Sequence, residues 1–108
     1  MDKPTPYIVV QVSTDSSEAA RTLARTIVER KLAASAQIFP IQSVYTWKGQ
    51  IAETDEYAVL MKSRHDLYPA LAACIRELHT YEVPEILVLP MVDGWPDYLA
   101  WIDDVTTL

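Results

Sequence analysis

The 108 residues contain one cysteine, Cys74, two glycines, one phenylalanine and no asparagine. A single thiol excludes an intrachain disulfide and any multi-thiolate zinc site built within one chain. Without asparagine, and without a glycine-rich loop after the first predicted strand, the usual parts of a phosphate-cleaving site are missing. Basic residues are scarce too. Nine Lys and Arg stand against fifteen Asp and Glu, a formal charge of −6, which argues against nucleic acid because phosphate contacts need a concentrated positive surface. No apolar run approaches the roughly 18 residues of a membrane span. The leading stretch MDKPTPYIVV is polar and broken by proline, with no separate apolar region, so no export signal is expected. A cytoplasmic protein with no membrane contact is the expectation, and the length predicts a single domain, residues 1–108, around one core.

What is present reads as alternating strand and helix signals. Tyr7 to Ser13 (YIVVQVS) is dense in β-branched and aromatic residues and predicts a strand with Ile8, Val10 and Val12 on its buried face. Asp15 and Ser16 offer N-caps, Asp15 pairing with Glu18 in the manner of a capping box, and Ala20, Leu23, Ala24, Ile27, Val28 and Leu32 continue a helical stripe. Ser35 to Trp47 favours strand again, although Pro40 lacks the amide proton of a central ladder and predicts an edge, a bulge or a break. After a short turn at Lys48, Gly49 and Gln50, Ile51 to Lys62 climbs back, so the pair forms a long hairpin. Asp66 is placed to cap a second helix, with Pro69 in its first turn and Leu67, Leu71, Cys74, Ile75 and Leu78 along its apolar stripe. The chain breaks at His79, Thr80 and Tyr81 and resumes as a short strand, Glu85 to Leu89, closed by Pro90. Pro96 then opens a third helix bearing Tyr98, Leu99, Trp101, Ile102 and Val105.

The order β-α-β-β-α-β plus a terminal helix predicts an α+β fold in which two helices cover one face of a four-stranded antiparallel sheet. The other face, with Tyr7, Val9, Gln11, Ala58 and Leu60, is left for the third helix to cover in part. An aliphatic sheet face without a full cover, beside a hairpin with unpaired edges, predicts association with another chain.

Five segments resemble the CutA family of divalent-ion, or copper, tolerance proteins. They are Glu29-Arg30-Lys31-Leu32-Ala33-Ala34, Ser43-Val44-Tyr45-Thr46-Trp47-Lys48-Gly49, Lys62, His79-Thr80-Tyr81-Glu82-Val83-Pro84-Glu85 and Asp97-Tyr98-Leu99-Ala100-Trp101, in family order across roughly residues 7–103. The resemblance implies a ferredoxin-like sandwich with a long β2-β3 hairpin and an extra C-terminal helix. It also implies a tight homotrimer, architecturally related to the PII signalling proteins, and a role in tolerance of divalent cations without a defined catalytic reaction. In the copper-binding bacterial pattern a Cys ends the first strand and two adjacent His precede a Pro-Tyr pair. Here those positions are Val12, then Leu78 and His79, with Thr80 in place of the proline, and Ser35 stands where a further Cys is frequent.

His79 is the leading candidate for chemistry, since a neutral imidazole can ligate a metal or donate to an anion. Tyr81, Glu82 and Glu85 supply a phenol and carboxylates nearby, and Lys62 offers an anchor for a small anionic ligand. In the family this neighbourhood resembles an inter-subunit cleft. His79 and Glu85 are the candidate ligands for a divalent cation, copper or zinc. The competing reading is that His79 and Tyr81 only end a helix and bond locally. Tyr45, Trp47, Trp101 and Tyr98 are expected at interfaces or in packing, with Trp47 also a candidate cleft wall. Cys74 is expected in the core and His65 at the surface. Three alternatives share the topology: a purely structural or PII-like signalling module, a small acylphosphatase-like hydrolase, and an RNA-binding domain, the last disfavoured by charge and by the lack of a Lys/Arg-Gly-Phe-like segment.

Overall fold

A computed structural model describes residues 5–79, 81 and 84–107. Strand β1 (Tyr7–Thr14) leads into helix α1 (Ser17–Glu29), and β2 (Ser35–Trp47) and β3 (Gln50–Arg64) form the hairpin. A 3-10 turn (His65–Leu67) precedes α2 (Tyr68–Leu78), then β4 (Ile86–Pro90) and α3 (Pro96–Thr106). The four strands lie in the order β2-β3-β1-β4, all neighbours antiparallel, which is the predicted split βαβ sheet. Pro40 sits on β2, an edge strand, so its missing N–H costs the ladder nothing.

Alternation along the strands sorts the two faces. Ile8, Val10, Val12, Val59 and Met61 turn towards α1 and α2 and join Leu23, Ile27, Leu71, Cys74 and Ile75 in one core cluster. Val9, Gln11, Leu60, Lys62, Gln37, Phe39, Leu87 and Leu89 occupy the opposite face by register. Helix α3 reaches only part of that face. It buries Ile102 and Thr106 and leaves Tyr98 and Trp101 exposed, as do Phe39, Leu87 and Leu89 on the sheet itself.

Of the two caps offered for α1 one is used, and the cap expected for α2 is corrected. The cap of α1 is Ser16, whose hydroxyl accepts from the Ala19 N–H at 3.0 Å, because Asp15 lies one residue too early to reach an orphan amide. Asp66 caps nothing. The chain from Arg64 enters a 3-10 turn first, Leu67 takes the capping position of α2, and Asp66 stands 3.4 Å from Arg64 instead. Pro69 does fall in the first turn of α2.

Helix α1 stops three residues before its apolar stripe does. The Leu32 N–H bonds to the Ile27 carbonyl and the Lys31 N–H to that of Val28, with Lys31 at φ 60°. This is the Schellman arrangement, in which glycine is the favoured residue at the left-handed position. Lysine there bears a strain of about 1–2 kcal/mol, against about 0.5–1 kcal/mol of extra unfolded-state entropy for glycine. Lys31→Gly is therefore expected to stabilise the chain by about 0.5–1 kcal/mol in urea titration. The hairpin tip uses the same backbone region twice, Lys48 at φ 52° and Gly49 at φ 79°, the two-residue turn whose twist suits a hairpin.

Beyond the Thr14–Tyr57 pair, β1 no longer accompanies β3, and the hairpin continues alone from the Ile41–Glu56 pair to the Trp47–Gln50 pair. Ile41, Tyr45 and Trp47 extend the α3-side face along this arm by alternation. Tyr45 and Trp47 are exposed.

Candidate functional site

Where the arm leaves the sheet, the chain exit of α2 is fastened to the end of β1. His79 ends α2 and its Nε2–H donates to the Ser13 carbonyl at 2.6 Å. That oxygen can only accept, so the proton sits on Nε2 and Nδ1 keeps its lone pair. The Tyr81 N–H donates to that Nδ1 at 3.0 Å. Both ring nitrogens are thus engaged with main chain. The Tyr81 ring meets the imidazole edge-on, centroids 4.7 Å apart at 68°, a favoured aromatic geometry.

The Tyr81 phenol donates to Oε2 of Glu56 at 2.7 Å. Glu56 is the last arm residue before β1 joins the ladder, and it is buried. Burial raises the Tyr81 pKa most, followed by the hydrogen bond to Glu56 and the negative charges of Glu56 and Asp15. At the far end of β1, Tyr7 is raised chiefly by its hydrogen bond to Asp103. Both phenols hold their protons more tightly folded than unfolded, so their contribution is complete below the ordinary tyrosine value of about 10 and is lost as pH rises past it. Denaturant midpoints are therefore expected to fall above pH about 10, with a shallower fall in Tyr81→Phe.

The predicted residues do not gather in one place. Lys62 pairs with Val9, whereas Ser13, which holds His79, pairs with Ala58. Four strand residues, about 13 Å, separate the two positions. The Lys62 ammonium donates to Oε1 of Gln37 on β2, so within one subunit it does not approach His79. Glu85 is exposed just before β4, at the same end of the sheet as His79. Glu82 and Thr80 lie outside the described residues. Trp47 is exposed at the arm tip with the Lys48 ammonium 5.7 Å from its ring centroid, and Tyr98 and Trp101 lie 5.5 Å apart on α3, the Tyr98 hydroxyl 3.5 Å from that of Ser35 on β2. Cys74 is in the core, and His65 is exposed.

A divalent cation needs several converging oxygens or imidazoles. Among the described residues no group of three or more His, Cys, Asp or Glu side chains converges, and the imidazole at this site has no lone pair to spare. The described residues of one subunit do not by themselves converge on such an ion. Glu56 was missed in the sequence, although a carboxylate two residues before Ala58 shares the face of Ala58 and Leu60 by simple alternation.

A sheet covered by two helices on one side and partly by a third on the other, with a projecting arm, defines a small α+β protein of the ferredoxin-like class. The family model described as CutA1 divalent ion tolerance protein matches residues 8–105, and the chain belongs to that family. The divalent-cation tolerance protein CutA of Thermus thermophilus is 39% identical over 99 residues, covering 91% of this chain and 96% of that one. Mouse protein CutA is 41% identical over 96 residues, and the chain spans about half its length, 54%. The solved CutA of Archaeoglobus fulgidus, described as periplasmic, superposes with a TM-score of 0.92 at 31% identity, over 94% of this chain and 99% of the other. The crystal structure of CutA1 from Oryza sativa gives 0.92 at 38%, over 96% of each. The family takes its description from divalent-ion tolerance. No described helix is long and apolar enough to cross a membrane.

Proposed function

We propose that the protein acts in divalent-cation tolerance as a homotrimer, holding a cation or a small anionic ligand in clefts between subunits, in the cytoplasm. The observation that carries this reading is the apolar stripe from Leu87 and Leu89 through Phe39 to Tyr45 and Trp47, exposed along one sheet face and a projecting arm. Such a surface is used by covering it with another chain. A neighbour's arm laid there would bring Trp47 against a second subunit and add donors to Glu85 and Lys62. In this arrangement Glu85 is the cation ligand of each chain, with Glu82 three residues before it in sequence. His79 positions Tyr81. Three chains carry a formal −18, three times −6, which draws cations in and keeps nucleic acid away.

Light scattering is expected to give three times the 12.2 kDa chain mass; a single-chain mass overturns the assembly. Calorimetric titration with copper(II) and zinc(II) is expected to show binding that Glu85→Gln weakens. Identical heats for both proteins would favour the assembly module without a bound ion, a reading supported by the full engagement of His79.

A further inference from the structure

The opposite end of β1 carries a second polar assembly. Arg64 closes β3 across from Tyr7, which opens β1, and its side chain is 21% exposed. Asp66 Oδ1 stands 3.4 Å from its Nε and Asp103 Oδ1 3.8 Å from its Nη1. Neither makes a hydrogen bond, and Nε is shut off from solvent without a partner. Arginine and carboxylate dock side-on with two parallel bonds where they are free to do so. Here Asp103 is held away, because its Oδ2 accepts from the Tyr7 phenol at 2.6 Å. A buried charged donor left unmatched is costly, and few such groups survive in a native protein.

These groups line an open cavity of about 610 Å³ whose remaining wall includes Thr5, Pro6, His65 and Pro90. That volume lies within the roughly 300–1,000 Å³ of small-molecule sites. One guanidinium and two carboxylates, beside the exposed His65, put both signs of charge at the cavity, so neither a simple anion nor a simple cation matches all of them. A molecule with both charges matches all three. We propose that this cavity binds a small zwitterion of the amino-acid or dipeptide class, its carboxylate on Arg64, its ammonium on Asp103 and Asp66, and its apolar side chain against Pro6 and Pro90.

The site stands at the other end of β1 from His79 and is independent of the cleft proposed above. The test titrates the full chain with L-alanyl-L-leucine by calorimetry and follows the Arg64 Nε–H resonance. Binding with a shift of that resonance is expected, weakened about tenfold or more by N-acetylation of the dipeptide, by amidation of its carboxylate, and by Arg64→Gln. Arg64→Lys keeps the charge and loses the fork; it is expected to bind as poorly as Arg64→Gln, with thermal melts confirming that the tested variant is folded. No heat and no shift at about 10 mM dipeptide, a range that still detects millimolar binding, would overturn the proposal. So would equal binding of the N-acetyl form, which marks a plain anion site, or wild-type affinity in a folded Arg64 variant.

Discussion

His79→Ala is expected to lower stability by about 2–4 kcal/mol, because it orphans two main-chain groups at once, each costing about 1–3 kcal/mol when left unmatched. The Ser13 carbonyl belongs to a buried residue and loses the Nε2–H that satisfies it. The Tyr81 N–H loses Nδ1. The phenol of Tyr81 then loses its seat, and with it the hydrogen bond that Glu56 accepts. A histidine that served only a ligand at the surface would behave otherwise: its removal would change stability by about 0.5 kcal/mol or less. Urea titration of the purified protein separates the two, and a midpoint within error of wild type would defeat the positioning role given to His79. His79→Gln, whose amide can donate to Ser13 and whose oxygen cannot accept from Tyr81 at the same time, is expected to fall between the two.

The same residue shows how far the sequence could be read. Its candidacy was visible, as was the competing role in ending a helix, but the choice depends on what faces each ring nitrogen. Ser13 is 66 residues away in the chain, and no local pattern announces that meeting. The strands were legible for a different reason. Period-two alternation in YIVVQVS and in Tyr57 to Met61 fixes which residues share a face, and the register joins Val9 to Lys62 and Ser13 to Ala58 accordingly. That register is also what separates Lys62 from His79, a consequence available only once the pairing is known. Caps were less legible. Asp15 and Ser16 are adjacent alternatives, and Asp66 stands one residue before the observed capping position of α2, so each outcome turns on a single residue of backbone geometry. Arg64 drew no notice because a basic residue at a strand end is ordinary in sequence; its lack of a bond for Nε is a fact of three dimensions.

Phe39→Asp is expected to have the largest effect of any single change on the α3-side face, and the effect lies in assembly. Phe39 is 43% exposed on the isolated chain, opposite Ala58 on an edge strand. On a monomer, a charge at so open a position would shift stability by about 0.5 kcal/mol. In a trimer closed over this face the same carboxylate is carried into an apolar contact, at a penalty of several kcal/mol per ion, repeated in every subunit. The variant is therefore expected to scatter light as a single 12.2 kDa chain while its far-ultraviolet dichroism stays native, since the core on the helix side contains neither Phe39 nor its neighbours on that face. Its thermal midpoint should drop and become nearly independent of protein concentration, because stability drawn from association scales with the concentration of partner chains. Gln37→Glu, on the same strand and face but paired with Lys62, provides the control: the added charge gains an opposite charge at once and should leave the mass at three chains. If Phe39→Asp remains trimeric with an unshifted midpoint, the covered surface is elsewhere, and the exposed Val92 and Trp95 between β4 and α3 become the patch to be tested by the same charge insertion.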